Sequence, residues 1–283
     1  MQFKYIDIHC HPNLSGLKEN QDEVIAKMAE EGVLGVVVGT NLESSREAVK
    51  LAEQYKHLYA TVGLHPNYTQ KEKFDISNFS ELLKHEKVVG VGECGVDYFR
   101  QSTSAPGDTH QDGWKEKQWE VFKQHVELAL EHDKPLMIHC RPSKGSMDAY
   151  EEVATYLESF GQCPDIDQKG GGRHVKGNMH FFVGNVEVAR RFWSLGFTTS
   201  FTGVLTFTKD YDEVVREAPA DMILSETDAP WAAPVPHRGE TNHPTYVRYV
   251  AEAIARIREE PVEEVQKTLF ANAKRIFVIS SKI

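Results

Sequence analysis

Short apolar, β-branched runs recur along the chain, with helical patterns between them. The runs cover residues 3–9, 34–40, 59–65, 88–94, 135–140, 178–184, 198–204 and 222–228. Most are continuously apolar, as parallel strands covered on both faces are. Between them apolar residues fall at helical spacing. Val24, Ile25, Met28 and Ala29 form one stripe, and Val49, Leu51, Ala52 and Tyr55 a looser one. Others run through Phe79 to Leu83, Trp119 to Leu130, Val153 to Leu157, Ala189 to Trp193 and Val214 to Val215. Two helices, 246–257 and 262–277, follow the last strand, and Pro261 opens the second. Strict β–α alternation predicts a parallel sheet. Eight repeats predict a closed (β/α)8 TIM barrel, with an open doubly wound sheet as the alternative. No repeat, low-complexity stretch or linker interrupts the pattern, so residues 1–283 read as one domain.

Two connections are long. Residues 99–113 follow the fourth strand and therefore lie at the strand C-terminal ends, where barrel active sites sit. Residues 161–177 precede the sixth strand, on the opposite face. Their Gly170–Gly172 run and nearby Lys169, Arg173, His174 and Lys176 resemble a phosphate loop, but the topology makes a solvated loop the better reading.

Composition narrows the class. With 283 residues the chain can bury a full core. Lys and Arg number 32 against 42 Asp and Glu, a net charge of −10. That argues against a protein that coats nucleic acid by charge alone, but not against a nucleic-acid enzyme whose site charge comes from bound ions. Four cysteines are too few for a disulfide framework. The first residues lack a secretory apolar run, and no stretch is long enough to span a membrane. These features predict a soluble, cytoplasmic protein with no membrane contact and no obligate protein partner.

The chemistry-bearing residues fall at strand ends. His9 and His11 close the first strand, and alternation turns i and i+2 to the same side. His65 ends the third strand, Glu93 the fourth, His139 the fifth and Asp228 the eighth, while His180 lies within the sixth. Independent burial of so many polar side chains would be costly, and metal coordination accounts for six of them, all but His65. Imidazole and carboxylate donors without thiolate suit Zn, Mn, Fe or Mg, and six ligands exceed one open tetrahedral site. Two divalent ions are therefore expected. Glu93 is expected to bridge them, its strand lying between the first and the fifth.

Cys10, Cys94 and Cys140 each follow one of these residues, and alternation turns them outward as small buried hydrophobes. Gly90, Gly92 and Gly95 match a dinucleotide-binding spacing, but no helix opens after them, so close packing at the barrel mouth explains them better. Trp119 sits in an apolar helix stripe and reads as core. Trp114, beside the long loop, is open between core and base stacking. Trp231, just after Asp228, is the better candidate for lining a substrate site.

At these residues the sequence resembles the TatD-type metal-dependent deoxyribonucleases of the amidohydrolase superfamily. The resemblance rests on Asp-Ile-His-Cys-His at 7–11, Gly-Leu-His-Pro at 63–66 and Val-Gly-Glu-Cys-Gly-Val-Asp-Tyr at 91–98. It continues with Ile-His-Cys-Arg at 138–141, His-Phe-Phe-Val-Gly at 180–184 and Glu-Thr-Asp-Ala-Pro at 226–230, and so covers nearly the whole chain. It implies that His9 and His11 bind one metal, that His139 and His180 bind the other, that Glu93 bridges, and that Asp228 completes the first site. It also implies a TIM barrel and hydrolysis of DNA phosphodiesters, often from an end. Asn67, Phe181 and the run Thr241-Asn242-His243-Pro244 depart from the family pattern, and Arg238 is close to a family arginine but shifted.

In the expected mechanism two ions activate a water and stabilise the displaced oxygens. Asp228 and Glu93 are the catalytic carboxylates, with Asp228 orienting the water and taking its proton. His65, Arg141 and Trp231 are the expected substrate contacts, although Arg141 also suits a surface or helix-capping role. The partner is DNA, as single strands or ends. Three rival readings use the same chain: an amidohydrolase cleaving a small amide or ester, an esterase removing D-amino acids from tRNA, and a barrel that binds without catalysis.

Overall fold

In the computed structural model, described here for residues 3–99, 113–161 and 174–279, eight parallel strands follow one another around a sheet in chain order. They are β1 (Tyr5–Cys10), β2 (Val33–Val38), β3 (Leu58–Val62), β4 (Val88–Asp97), β5 (Leu136–Arg141), β6 (Gly177–His180), β7 (Thr198–Phe201) and β8 (Ile223–Ser225). The helices between and after them are α1 (Gln21–Glu30), α2 (Leu42–Gln54), α3 (Ile76–Leu83), α4 (Trp114–His132), α5 (Asp148–Glu158), α6 (Val186–Ser194), α7 (Asp212–Glu217), α8 (Val247–Arg258) and α9 (Val262–Ile276). This is the (β/α)8 barrel that the alternation predicts.

The seam between β8 and β1 closes with little ladder. It consists of an isolated parallel bridge, Cys10 to Ala229, with His11 N–H on the Ala229 carbonyl at 2.8 Å and Asp228 N–H on the His9 carbonyl at 2.9 Å. The buried Asp7 carboxylate takes over where the ladder is missing, accepting the Thr227 N–H at 2.9 Å and the Thr227 hydroxyl.

Two apolar layers result. The larger lies between strands and helices and includes Ile25, Met28, Phe79, Phe122, Val153 and Phe192. Cys10, Cys94 and Cys140 are buried in it, turned outward as alternation predicts. The smaller layer fills the barrel floor: Ile6, Ile8, Leu34, Val36, Tyr59, Val89, Met137 and Leu224 meet Ala273, Ile276, Phe277 and Ile279 from the end of α9 and beyond. The C-terminal helix thus plugs the floor and leaves the opposite mouth as the open end.

Strict alternation fails at three places, one of them in β4 against β3, where Ala60 pairs with Val88 but Thr61 with Gly90. Asp7 pairs with Gly35 but Cys10 with Val37, so Ile8 and His9 share one partner position. Val91 pairs with Leu136 but Cys94 with Ile138, so Gly92 and Glu93 do likewise. These are bulges, which re-aim side chains beside active sites. In β1 the bulge lets both Ile8 and His9 face inward. In β4 it brings Glu93 inward although Val91 faces out. The glycines of the dinucleotide-like run serve this packing: a Cβ on Gly95, at φ +133°, would collide with the His139 carbonyl.

Several strands are shorter than the apolar runs suggest. Residues 181–184 leave β6 at Phe181, whose φ is +45°, so His180 ends the strand instead of lying within it. Residues 203–206 form a 3-10 turn, and 226–228 leave β8 as loop. Residues 181–184 are as apolar as a strand and 226–228 are Glu, Thr and Asp, but in each case the backbone turns away at the rim to carry the site. β4 is longer than expected and ends at Asp97. It pairs with β3 and β5, so Glu93 reaches His9 across the mouth and not as a neighbour of β1. Of the long loops, 100–112 and 162–173 lie outside the described residues. Lys176, at the far end of the second, pairs with Asp133 at 2.8 Å next to the start of β5, on the face opposite the mouth.

Candidate metal centre

At the mouth, side chains from β1, β4, β5, β6 and the loops after β3 and β8 converge. His9 and His11 present their Nε2 atoms to each other at 3.0 Å, a consequence of the i, i+2 spacing above the β1 bulge. Glu93 lies between two sets of imidazoles. Its Oε2 is 3.5 Å from His9 Nε2 and 3.9 Å from His11 Nε2. Its Oε1 is 3.0 Å from His139 Nδ1, 3.1 Å from His180 Nε2 and 3.4 Å from His65 Nε2. Asp228 Oδ1 sits on the first set, 3.7 Å from His9 and 3.5 Å from His11. Asp228 has φ +52°, and strain of this kind concentrates at functional sites.

Three groupings bring their ligand atoms within 4.8 Å of one another: His9, His180 and Asp228; His9, His11 and Glu93; and His65, Glu93 and His139. The donor set fits divalent ions. His11 Nδ1 donates to the Val38 carbonyl at 3.1 Å, which leaves a lone pair on the Nε2 that faces His9. His9 Nδ1 is buried with no hydrogen-bond partner. Facing imidazole nitrogens beside two carboxylates are repulsive as lone pairs and satisfied by a cation.

Further residues support these from behind. His180 Nδ1 donates to Glu226 Oε1 at 3.0 Å. Glu226 also accepts the Phe181 N–H at 2.7 Å and the Ser200 hydroxyl at 2.7 Å. His139 Nε2 donates to Asp97 Oδ2 at 3.2 Å, and Asn67 Nδ2 reaches the same oxygen at 3.3 Å. Asn242 Nδ2 ties the Thr227 and Trp231 carbonyls at 2.8 and 2.6 Å, and so staples the loop that carries Asp228. Asp7, Asp97, Glu226 and Asn242 were not singled out from the sequence as site residues. For Asp97 a signal existed, because it lies four residues beyond Glu93 on the same strand face. Asn67 and Phe181, departures from the family pattern, both take part in this supporting layer.

The expected substrate contacts lie on the rim. His65 is within the cluster just described. Arg141 ends β5, exposed, with its guanidinium 4.0 Å from the Phe99 ring. Trp231 is 50% exposed, its ring 5.2 Å from that of His11. Trp119 is tied to the Tyr98 hydroxyl at 2.7 Å, and Trp114 is half-buried against the outer core. Arg238 lies over Phe207 and donates to the Ala233 carbonyl at 2.8 Å.

Burial and charge set the protonation pattern. Burial would raise Glu93, but the imidazoles around it, His65, His180 and His9, outweigh that and hold it well below the usual carboxylate range. Burial works against protons on His180 and His139, yet Glu226 and Glu93 on the first, and Asp97 and Glu93 on the second, push both above the usual value. Burial, reinforced by the charge of His180, pushes His9 down to about 3. Burial also lowers His65. On the His139 and His180 side a metal would therefore compete with protons.

No helix among the described residues is long and apolar enough to cross a membrane. The TatD related DNase family profile matches residues 6–278. An uncharacterized metal-dependent hydrolase of Bacillus subtilis, YabD, is 37% identical over 97% of this chain and 99% of its own. Another from Escherichia coli K12, YcfH, is 31% identical over 98% of this chain and 96% of its own. The crystal structure of YJJV, a TatD homolog from E. coli K12, superposes with a TM-score of 0.81 at 26% identity, covering 99% of this chain and all of that one. With the profile running from β1 to the end of the barrel, and its strand-end residues gathered at one mouth, the chain belongs to the TatD related DNase family of metal-dependent hydrolases.

Proposed function

We propose that the protein is a deoxyribonuclease that hydrolyses phosphodiesters of DNA at a centre of two divalent ions, with single strands or frayed ends preferred. The observation that carries the reading is the division of Glu93. One carboxylate oxygen faces His9 and His11, and the other faces His139 and His180. A carboxylate so divided suits a bridge between two ions. His9, His11 and Asp228 would hold one, and His139 and His180 the other.

Bound at this position, divalent ions supply Lewis acidity and bring water ionisation close to neutral pH. The chain's own residues do the rest. Asp228, at 14% side-chain exposure, is open enough to meet a water and receive its proton at Oδ1. Glu93, buried and held ionised, fixes the separation of the two halves. Arg141 on the rim is available to a phosphate, and the exposed Trp231 offers a face to a base. The recessed mouth favours a chain end over the middle of a duplex. A net charge of −10 leaves affinity to phosphate–metal contacts and predicts a shallow salt dependence. The reduced, buried Cys10, Cys94 and Cys140 agree with a cytoplasmic setting.

The test is a labelled oligonucleotide, single- and double-stranded, incubated with Mg or Mn and resolved by length. A ladder shortening from one end supports the reading. Failure to cleave any nucleic acid, alongside turnover of a small amide or ester, would overturn it in favour of an amidohydrolase.

A further inference from the structure

The five imidazoles at the mouth differ in what stands behind each ring. A neutral imidazole carries one N–H and one lone pair, so the partner at the back decides what the front nitrogen offers. Behind His11 is the Val38 carbonyl, which can only accept. Behind His180 is Glu226, and behind His139 is Asp97, both carboxylates. With an ion bound, each of these rings would keep its proton at the back and turn a lone pair to the centre, as a metal ligand must. Behind His9 there is no partner, which leaves its front nitrogen free to do the same.

His65 is reversed. Its Nδ1 accepts the backbone N–H of Asn67 at 3.1 Å, capping the 3-10 turn Pro66–Tyr68. The lone pair is therefore at the back and the proton at the front, on the Nε2 that lies 3.4 Å from Glu93 Oε1. The opposite tautomer would set two N–H groups against each other and leave the turn uncapped. The same device recurs at one further His-Pro pair, where His243 Nδ1 accepts the Thr245 N–H at 3.1 Å. The surroundings hold the ring in place. The backbone N–H of His65 bonds the Thr40 carbonyl at 2.8 Å, and the backbone N–H of the preceding residue, Leu64, donates to His125 Nε2 at 3.0 Å. The side chain is 12% exposed.

We infer that His65 is not a metal ligand but the fixed hydrogen-bond donor of the centre, presenting Nε2–H to a non-bridging oxygen of the phosphate undergoing attack. The identity of the acceptor rests on the phosphodiester reading above; the donor state of the ring does not. A preorganised donor aimed at developing charge is worth about 100-fold in turnover or more.

Two variants separate donor from ligand. His65→Asn keeps an acceptor where Nδ1 caps the turn but removes the forward donor. His65→Gln extends an amide N–H toward the position of Nε2. Three measurements follow. Long-range ¹⁵N–¹H spectra of ring-labelled protein, with the His65 signal assigned by its loss in His65→Asn, should show the proton on Nε2. Titration with Mn should give the same number of ions per chain in both variants as in the wild type. Inorganic phosphate should bind Mn-loaded His65→Asn at least about tenfold more weakly than wild type, with recovery in His65→Gln. A proton on Nδ1, or loss of one Mn per chain in both variants, overturns the donor assignment. Unchanged phosphate affinity in His65→Asn overturns the phosphate contact. If wild-type Mn-loaded protein binds no phosphate, the phosphodiester reading fails, while the spectra and the metal count still decide the state of His65.

Discussion

Glu226 and His180 form a buried pair in which Glu226 Oε1 accepts the imidazole Nδ1 proton at 3.0 Å and also the N–H of the residue after it, Phe181, at 2.7 Å. One carboxylate oxygen thereby sets both the ring and the left-handed turn that ends β6. The ring has no freedom left to choose another tautomer, and its Nε2 is aimed at Glu93.

Replacing Glu226 by Gln should therefore weaken metal binding without unfolding the barrel. The amide cannot accept from His180, Phe181 and Ser200 together, because one end of it donates. We expect affinity for Mn at the His139/His180 side to fall about 10- to 100-fold, the range for lost support behind a ligand. Titration with Mn, with circular dichroism as a control on folding, reads this directly. Unchanged affinity would show that His180 needs no such partner.

Asp228→Asn keeps the size of the side chain but removes its capacity to take a proton. Hydrolysis of the oligonucleotide should fall by at least about 100-fold, the low end for a general base. The fold should persist, since Asp228 contributes its backbone N–H to the barrel seam and Asn retains that bond. Turnover at the wild-type rate would mean that another group receives the proton.

Metal uptake should release protons. In the metal-free protein the pKa values of His139 and His180 are raised by their carboxylates, so both rings stay protonated to higher pH than free histidine. An ion on their inward nitrogens must displace those protons. Affinity should rise with pH until both rings are neutral and should fall as the pH drops. Calorimetry at neutral pH in buffers of different ionisation enthalpy should show on the order of one to two protons released per chain loaded. Binding that is independent of pH and buffer would contradict this protonation pattern.

His125, far from any ligand role, gives a stability prediction of defined sign. It is fully buried, donates from Nδ1 to the Val121 carbonyl at 2.8 Å and accepts from Leu64 at 3.0 Å, and burial pushes its pKa down to about 4. The unfolded chain, near 6.5, binds the proton more readily. The contribution is complete above about pH 6.5 and is lost as the pH falls through 4, by on the order of 3 kcal/mol. Urea midpoints at several pH values should show this loss, and its slope should be shallower in His125→Gln. An identical slope in the two proteins would remove His125 as a cause.

The resemblance at strand ends and the local periodicity made most of the architecture legible. Alternation along β1 pointed His9 and His11 to one side and Cys10 to the other, because side-chain direction in a strand depends only on the chain's own backbone. The same holds for Cys94 and Cys140. Strand length was less legible. The segment after His180 is as apolar as a strand, yet it leaves the ladder at the rim, as do those after Phe201 and Ser225.

The sequence by itself thus determined the number and order of strands, the donor types at their ends and the end of the barrel at which they gather. Only the tertiary structure decided how those donors are aimed. The bulges in β1 and β4 are set by register against β2 and β5, which no local pattern reveals. Glu226 stands 46 residues from His180, and Asp7 stands 220 from Thr227. Those pairs exist because closing the barrel brings distant strand ends together, and a buried polar atom then takes whichever partner that closure puts within reach.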